Sequence, residues 1–380
     1  MDLILTAEQQ AFVAAIRKLA RRECGTWDQR AALTDNGTVQ HNPALYRRIA
    51  ALGWLGAAIP TRYGGAGGGA VDMCLFLEEA SYGQIPIAGF SVSMIVAGAY
   101  QRWGTESQKE DVLRAISDGS VHAIAISEPD AGSDVGAIRC RAVRDGDHYV
   151  LTGQKTWISE AHIADSILVV CRTDASGGRH DGLSMIAVPR DAAGVDIRGI
   201  DTLGGRTVNE VHLTDVRIPL TARLGAEGAG WEQLVAGLNA ERLILAAVSL
   251  GLARRALDDL LAHVRDRHQF GRPVGRFQAL RHRIADLATE IECCRLLVYA
   301  VARLLDTQPQ TLYPLETSMA KLKASETARR VALEGIQMMG GQGYAVGSDM
   351  QRHARIALAG TIYGGTSEIQ RDIIGRAFGL

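Results

Sequence analysis

Four short runs in the middle of the chain decide the fold class: His148-Tyr-Val-Leu-Thr152, Ser166-Ile-Leu-Val-Val-Cys171, Ser184-Met-Ile-Ala-Val-Pro189 and Glu210-Val-His-Leu213. Each is rich in β-branched or other apolar residues, and Gly/Asp turns such as Asp145-Gly146 separate them, so they read as strands. No helical pattern lies between them. Strand following strand without crossover helices points to an antiparallel sheet or barrel rather than a doubly wound nucleotide fold. On both sides the texture changes to helix. Thr6 is placed to cap a segment whose Phe12, Ile16 and Leu19 follow helical spacing. Ala44–Leu52 reads as a helix ended by Gly53, and helical patterns resume over 71–81 and 106–116. The glycine-rich stretch Pro60–Gly69 lacks the Lys-Ser/Thr of a P-loop and reads as a connection. From Trp231 onward long helices return, broken at Gln308-Pro309, at Tyr313-Pro314 and at the cluster Gly340–Gly347. The expected organisation is an α+β multidomain chain: helical over 1–120, β over 121–222, helical over 223–380.

With 380 residues and 47% hydrophobic composition, the chain can bury a core across roughly two or three structural units. Lys plus Arg is 41 and Asp plus Glu is 42, so the formal charge is −1. That balance argues against nucleic acid or an anionic membrane surface as partner, because both attract excess positive charge. The opening MDLILTAEQQ reaches Glu8 without a basic n-region, so it does not read as a signal peptide, and no membrane span is expected. The six cysteines show no CxxC or Cys/His zinc spacing, which fits a reduced cytoplasmic setting and no metal. Cys293-Cys294 reads as core. No HExxH, GxSxG or properly spaced GxGxxG appears, so nicotinamide, zinc and serine-hydrolase mechanisms have no visible apparatus.

Two segments are chemically richer, Ala125-Ile-Ser-Glu-Pro-Asp-Ala-Gly-Ser-Asp134 and Gly153-Gln-Lys-Thr-Trp-Ile-Ser159. With Leu52-Gly-Trp-Leu-Gly56, Arg267-His-Gln-Phe-Gly271, Phe277-Gln278, Gln337-Met-Met-Gly-Gly-Gln-Gly-Tyr344 and Ile362-Tyr-Gly-Gly-Thr-Ser-Glu-Ile-Gln370, they make the sequence resemble the acyl-CoA dehydrogenase family along nearly its whole length. The resemblance implies an N-terminal helical domain, a middle antiparallel β-barrel and a C-terminal four-helix bundle. It also implies non-covalent FAD, a homotetramer, and an electron-transfer flavoprotein as one candidate acceptor. Ile126, Ser127, Gly132, Ser133, Trp157 and Ser159 would contact the flavin side, with Ser133 also facing substrate. Arg267, Phe270, Gln278, Gln337 and Gly341 would hold the rest of the cofactor across a subunit interface, with Thr366 and Glu368 gripping it after the last loop. Asn239, Arg242 and Tyr363 would meet the substrate, a short or branched acyl-CoA.

Such chemistry needs a carboxylate poised in a dry pocket to remove the α-proton of the thioester. Most of the family place a Glu after the Tyr of the final loop, where this chain has Gly364. Glu241 lies in the helical stripe Leu234, Leu238, Leu245, Val248, Leu252, where desolvation raises a carboxyl pKa toward the general-base range. Glu241-Arg-Leu-Ile-Leu-Ala246 resembles the isovaleryl-CoA dehydrogenase branch, which carries its base on this helix. Glu241 is therefore the expected base, and the Gly364 N–H a donor to the thioester carbonyl. The alternative for Glu241 is a structural ion pair with Arg242. For the chain, the alternatives are the same chemistry on a carrier-protein-bound acyl or aminoacyl group, or a silent flavin-binding subunit.

Overall fold

The computed structural model describes residues 5–380; Met1–Ile4, at the head of the expected first domain, lie outside the described residues. Six helices come first: α1 (Ala7–Cys24), α2 (Trp27–Leu33), α3 (Pro43–Ala51), α4 (Ala70–Tyr82), α5 (Ala88–Trp103) and α6 (Glu106–Ser117). Eight strands follow: β1 (His122–Ala125), β2 (Arg141–Asp145), β3 (His148–Ser159), β4 (Ser166–Arg172), β5 (Leu183–Pro189), β6 (Val195–Thr202), β7 (Gly205–Pro219) and β8 (Arg223–Leu224). The long helix α7 (Gly230–Asp266) leads into a small hairpin, β9 (His268–Gln269) and β10 (Arg272–Pro273). The chain ends with α8 (Gln278–Thr307), α9 (Pro314–Met339), α10 (Gly341–Tyr344), α11 (Asp349–Gly360) and α12 (Ser367–Ala377). The described residues group into two compact units, one of residues 5–37, 69–85 and 241–380, the other of 38–68 and 86–240.

In the helical unit, Thr6 and Gln9 form a reciprocal capping box that starts α1, and Val13, Ile16 and Leu19 are buried on one face. Phe12 stacks on Phe76 of α4 with ring centroids 6.1 Å apart. The α4 backbone approaches α7 closely at Gly251, where a Cβ would collide with the carbonyl of Glu78, and Ser81 Oγ donates to Val248 O at 2.7 Å. Buried Glu78 and Glu79 receive Arg254, Arg17 and the Tyr299 hydroxyl, which balances two carboxylates inside the helical packing. The proline breaks act as read: α8 stops at Thr307, and α9 begins with Pro314 at a position that needs no N–H. Cys294 is buried, but Cys293 is exposed, so the core reading holds for one of the two.

The second unit carries an eight-stranded sheet in the order β6-β7-β3-β2-β4-β5-β8, with β1 beside β4. Its long pairings β2–β3, β3–β7, β6–β7 and β4–β5 are antiparallel, as the uninterrupted strand texture implies. The β1–β4 pairing is parallel, and β2 meets β4 in parallel at Arg141–Arg172. The connection from β1 to β2 is a long irregular segment rather than a hairpin, and it carries Ile126 to Ser133. Helix α5 is apolar on most faces and buries Phe90, Ile95, Val96 and Ala97 nearly completely, which is why no single stripe marks it in the sequence. By length and composition α7 is apolar enough to cross a membrane, and much of its apolar stretch is buried in the structure.

Candidate active site

In the sheet unit, the 125–134 segment is fixed from below by a buried ion pair. Glu128 accepts from the backbone N–H groups of Arg139 (2.7 Å) and Cys140 (2.9 Å) and from Lys155 Nζ (2.8 Å). Lys155, fully buried, also donates to Ile126 O at 2.9 Å. Thr156 N–H donates to Ser127 O at 2.9 Å, so Ser127 is brought beside the end of β3. There the β3–β7 register shifts between Lys155 and Ile158, the mark of a bulge. Trp157 sits in that bulge at φ 62° and turns outward, leaving its indole 60% exposed. Gly132 and Ser133 are also exposed, and Ser127 and Ser159 are half-buried. Trp157 is therefore not a core residue. An uncovered indole, with solvent-accessible serines in the same strand and neighbouring segment, fits a planar, polar-edged ring such as a flavin.

In the helical unit, the final loop is a turn of two left-handed glycines, Gly364 (φ 62°) and Gly365 (φ 81°). Gln370 Nε2 donates to both of their carbonyls, at 3.0 and 2.9 Å, and Lys321 Nζ donates to Gly365 O at 2.8 Å. A Cβ placed on Gly364 would lie 3.5 Å from Glu241 Oε1 and would collide with Leu245 Cδ1. The structure thus brings Glu241, Gly364 and Lys321 together, with Tyr363 one residue away.

Glu241 Oε2 is closed off from solvent and has no hydrogen-bond partner, and buried Arg242 Nε has none either. The ion-pair alternative is not formed through these atoms. Burial pushes the Glu241 carboxyl up to about 7, against the opposing charges of Arg242 and Lys321. Burial lowers Lys321 to about 8, with Glu241 resisting, and it also lowers Arg242. Tyr363 rises to about 12 through burial and the Glu241 charge.

Arg267 follows the last residue of α7, about 39 Å from Glu241 at 1.5 Å per residue. It is exposed, as are Phe270, Gln278, Gln337 and Gly341. Phe270, 92% exposed at φ 50°, forms the tip of the β9–β10 hairpin and meets Phe277 edge-on at 6.0 Å. Thr366 caps α12 by accepting from Ile369 N–H at 3.3 Å, and its hydroxyl helps hold the exposed Glu368 carboxyl below its ordinary range, after Glu368's own backbone N–H. Asn239 is buried on α7. The reading from sequence missed Lys321 and Gln370. A signal existed for Lys321: it is one of only five lysines, and on α9 it shares a face with the small residues Thr317, Ala324, Ser325 and Ala328.

The acyl-CoA dehydrogenase N-terminal domain family matches residues 6–120, the middle domain 123–216 and the C-terminal domain 228–379. The chain is 34% identical to the mitochondrial 2-methylacyl-CoA dehydrogenase of Solanum tuberosum over 381 residues, covering 99% of this chain and 91% of that protein. It is 36% identical to the mitochondrial isovaleryl-CoA dehydrogenase of Pongo abelii over 341 residues, covering 88% and 80%. Among solved structures, an acyl-CoA dehydrogenase from Geobacillus kaustophilus superposes with TM-score 0.93 at 31% identity over 100% of both chains. A glutaryl-CoA dehydrogenase from Mycobacterium smegmatis in complex with FADH2 superposes with TM-score 0.88 at 28% identity, covering 98% of this chain and 95% of that one. A bulged β3 that turns Trp157 outward, a carboxylate facing a two-glycine loop with its Oε2 closed off and unpartnered, and three domain matches in order place this chain in the acyl-CoA dehydrogenase family, as an FAD-dependent oxidoreductase.

Proposed function

We propose that this enzyme removes the α and β hydrogens of a short, branched acyl-CoA, with Glu241 as the base. The carrying observation is the orphaned Glu241 Oε2 beside Gly364, where the loop itself supplies no carboxylate and Leu245 fills the space of a side chain. FAD, when bound, accepts the hydride that leaves the β-carbon. Glu241 takes the α-proton, and its raised pKa keeps it basic enough to do so near neutral pH. The Gly364 N–H donates to the thioester carbonyl and stabilises the developing enolate. Arg242 and Asn239 line the thioester end, and Tyr363 lines the acyl end. Ile126, Ser127, Gly132, Ser133, Trp157 and Ser159 hold the flavin, with Thr366 and Glu368 at the last loop. The branched substrate class rests on the two curated relatives, whose names specify 2-methylacyl-CoA and isovaleryl-CoA.

Arg267, Phe270, Gln278, Gln337 and Gly341 serve the FAD of a second copy in a homotetramer. The reach of α7 supports this, because Arg267 is too far along the helix from Glu241 for both to serve the same end of one cofactor. The domain limits 1–120, 121–222 and 223–380 and an electron-transfer flavoprotein as acceptor belong to the same proposal.

Anaerobic bleaching of the bound flavin, with a panel of straight and branched acyl-CoA thioesters and the same acyl groups on a carrier protein, tests the reading. Bleaching by short branched acyl-CoA without any partner chain supports it. Bleaching by carrier-bound substrates alone, or by none, overturns it.

A further inference from the structure

Lys321 is fully buried two turns into α9, on a face of small side chains. A buried ammonium costs several kcal/mol unless charge and hydrogen bonds offset it. Its hydrogen bond to Gly365 O, a neutral acceptor, satisfies one donor but not the charge. The first acid whose charge supports Lys321 is Glu241, followed by Glu326 of α9 and Glu368 of α12, while Arg242 of α7 opposes it. Around Glu241 the charged and titratable neighbours are Arg242 on its own helix, Lys321 from α9 and Tyr363 from the loop. The turn that Lys321 grips is the one whose Gly364 stands 3.5 Å, by its missing Cβ, from Glu241 Oε1.

We propose that Lys321 is a positioning residue for the Glu241 base: its ammonium fastens the Gly364–Gly365 turn through the Gly365 carbonyl and keeps the neighbouring carboxylate ionised. This rests on the assignment of Glu241 as base. The two functions are separable. Gln370 also holds both glycine carbonyls, so the turn keeps one anchor when Lys321 is lost. Among the described residues, the charge has one partner acting in the same direction on Glu241, Arg242.

The test compares Lys321→Met, Lys321→Gln and Lys321→Arg in the FAD-loaded enzyme by the pH profile of kcat/KM. Removing the charge moves the acidic limb to higher pH by about one unit, the scale set by a nearby opposite charge. Lys321→Gln, which keeps a donor for Gly365 O, shifts the limb but loses less kcat at high pH than Lys321→Met. Lys321→Arg restores the limb. A second readout needs no turnover: infrared titration of the protonated carboxyl band that Glu241→Gln removes, which moves in parallel in Lys321→Gln. If Lys321→Met does not fold, Lys321→Gln carries both measurements. An unmoved limb and an unmoved band in Lys321→Gln overturn the proposal. Normal turnover in Glu241→Gln instead overturns the base assignment, and the infrared band then still reports whether Lys321 controls Glu241.

Discussion

Leu245 Cδ1 occupies the space into which any side chain on Gly364 would project. The two residues close one wall of the loop, and Glu241, one helical turn before Leu245, stands at its edge. A carboxylate arriving from α7 and a bare glycine in the loop are therefore two halves of one packing arrangement.

Gly364→Ala is expected to weaken the fold, since a non-glycine residue at φ 62° costs about 1–2 kcal/mol before the collision with Leu245 is counted. Leu245→Ala in the same chain recovers the collision but not the backbone cost. Urea unfolding of the two variants checks this, and equal stability of Gly364→Ala and the parent contradicts it.

Glu241→Gln keeps FAD and lowers turnover by about 10²–10⁴-fold, the contribution of a positioned base. Stopped-flow flavin reduction measures it directly.

The pH dependence of the parent follows from the sign of the Glu241 shift. The base works ionised, so kcat/KM rises with pH through about 7 and flattens above it. Stability runs the other way. The folded pKa lies above the unfolded value, so the native state binds the extra proton between the two, and its stability falls as pH rises through that window. Thermal melts at about pH 5 and about pH 8 should therefore show a smaller drop in Glu241→Gln than in the parent.

Trp157→Ala separates binding from folding. The indole is 60% exposed, so stability changes by about 0.5 kcal/mol or less, while FAD affinity falls by about tenfold with loss of the aromatic face. Fluorescence titration of apoprotein with FAD reads the second, and unchanged affinity removes Trp157 from the flavin site.

Lys155→Met strands Glu128 beneath the 125–134 segment, and breaking such a buried pair costs about 3–5 kcal/mol. The expected outcome is a lowered unfolding midpoint together with FAD loss, because the Ile126 carbonyl next to Ser127 loses its Lys155 donor.

The sequence alone determined the order of helix, strand and helix, since periodicity and turn chemistry are local properties. It also exposed the missing loop acid at Gly364 and the candidate Glu241, because a residue's type and its place on a helical stripe need no tertiary information. Only the tertiary structure decided that β1 lies parallel to β4, that a bulge turns Trp157 out of the core, and that Glu241 and Arg242 are not paired. It alone brought Lys321, 80 positions away, into the neighbourhood of Glu241. Burial, collision and charge coupling depend on which distant segments meet in space, and no spacing along one chain records that.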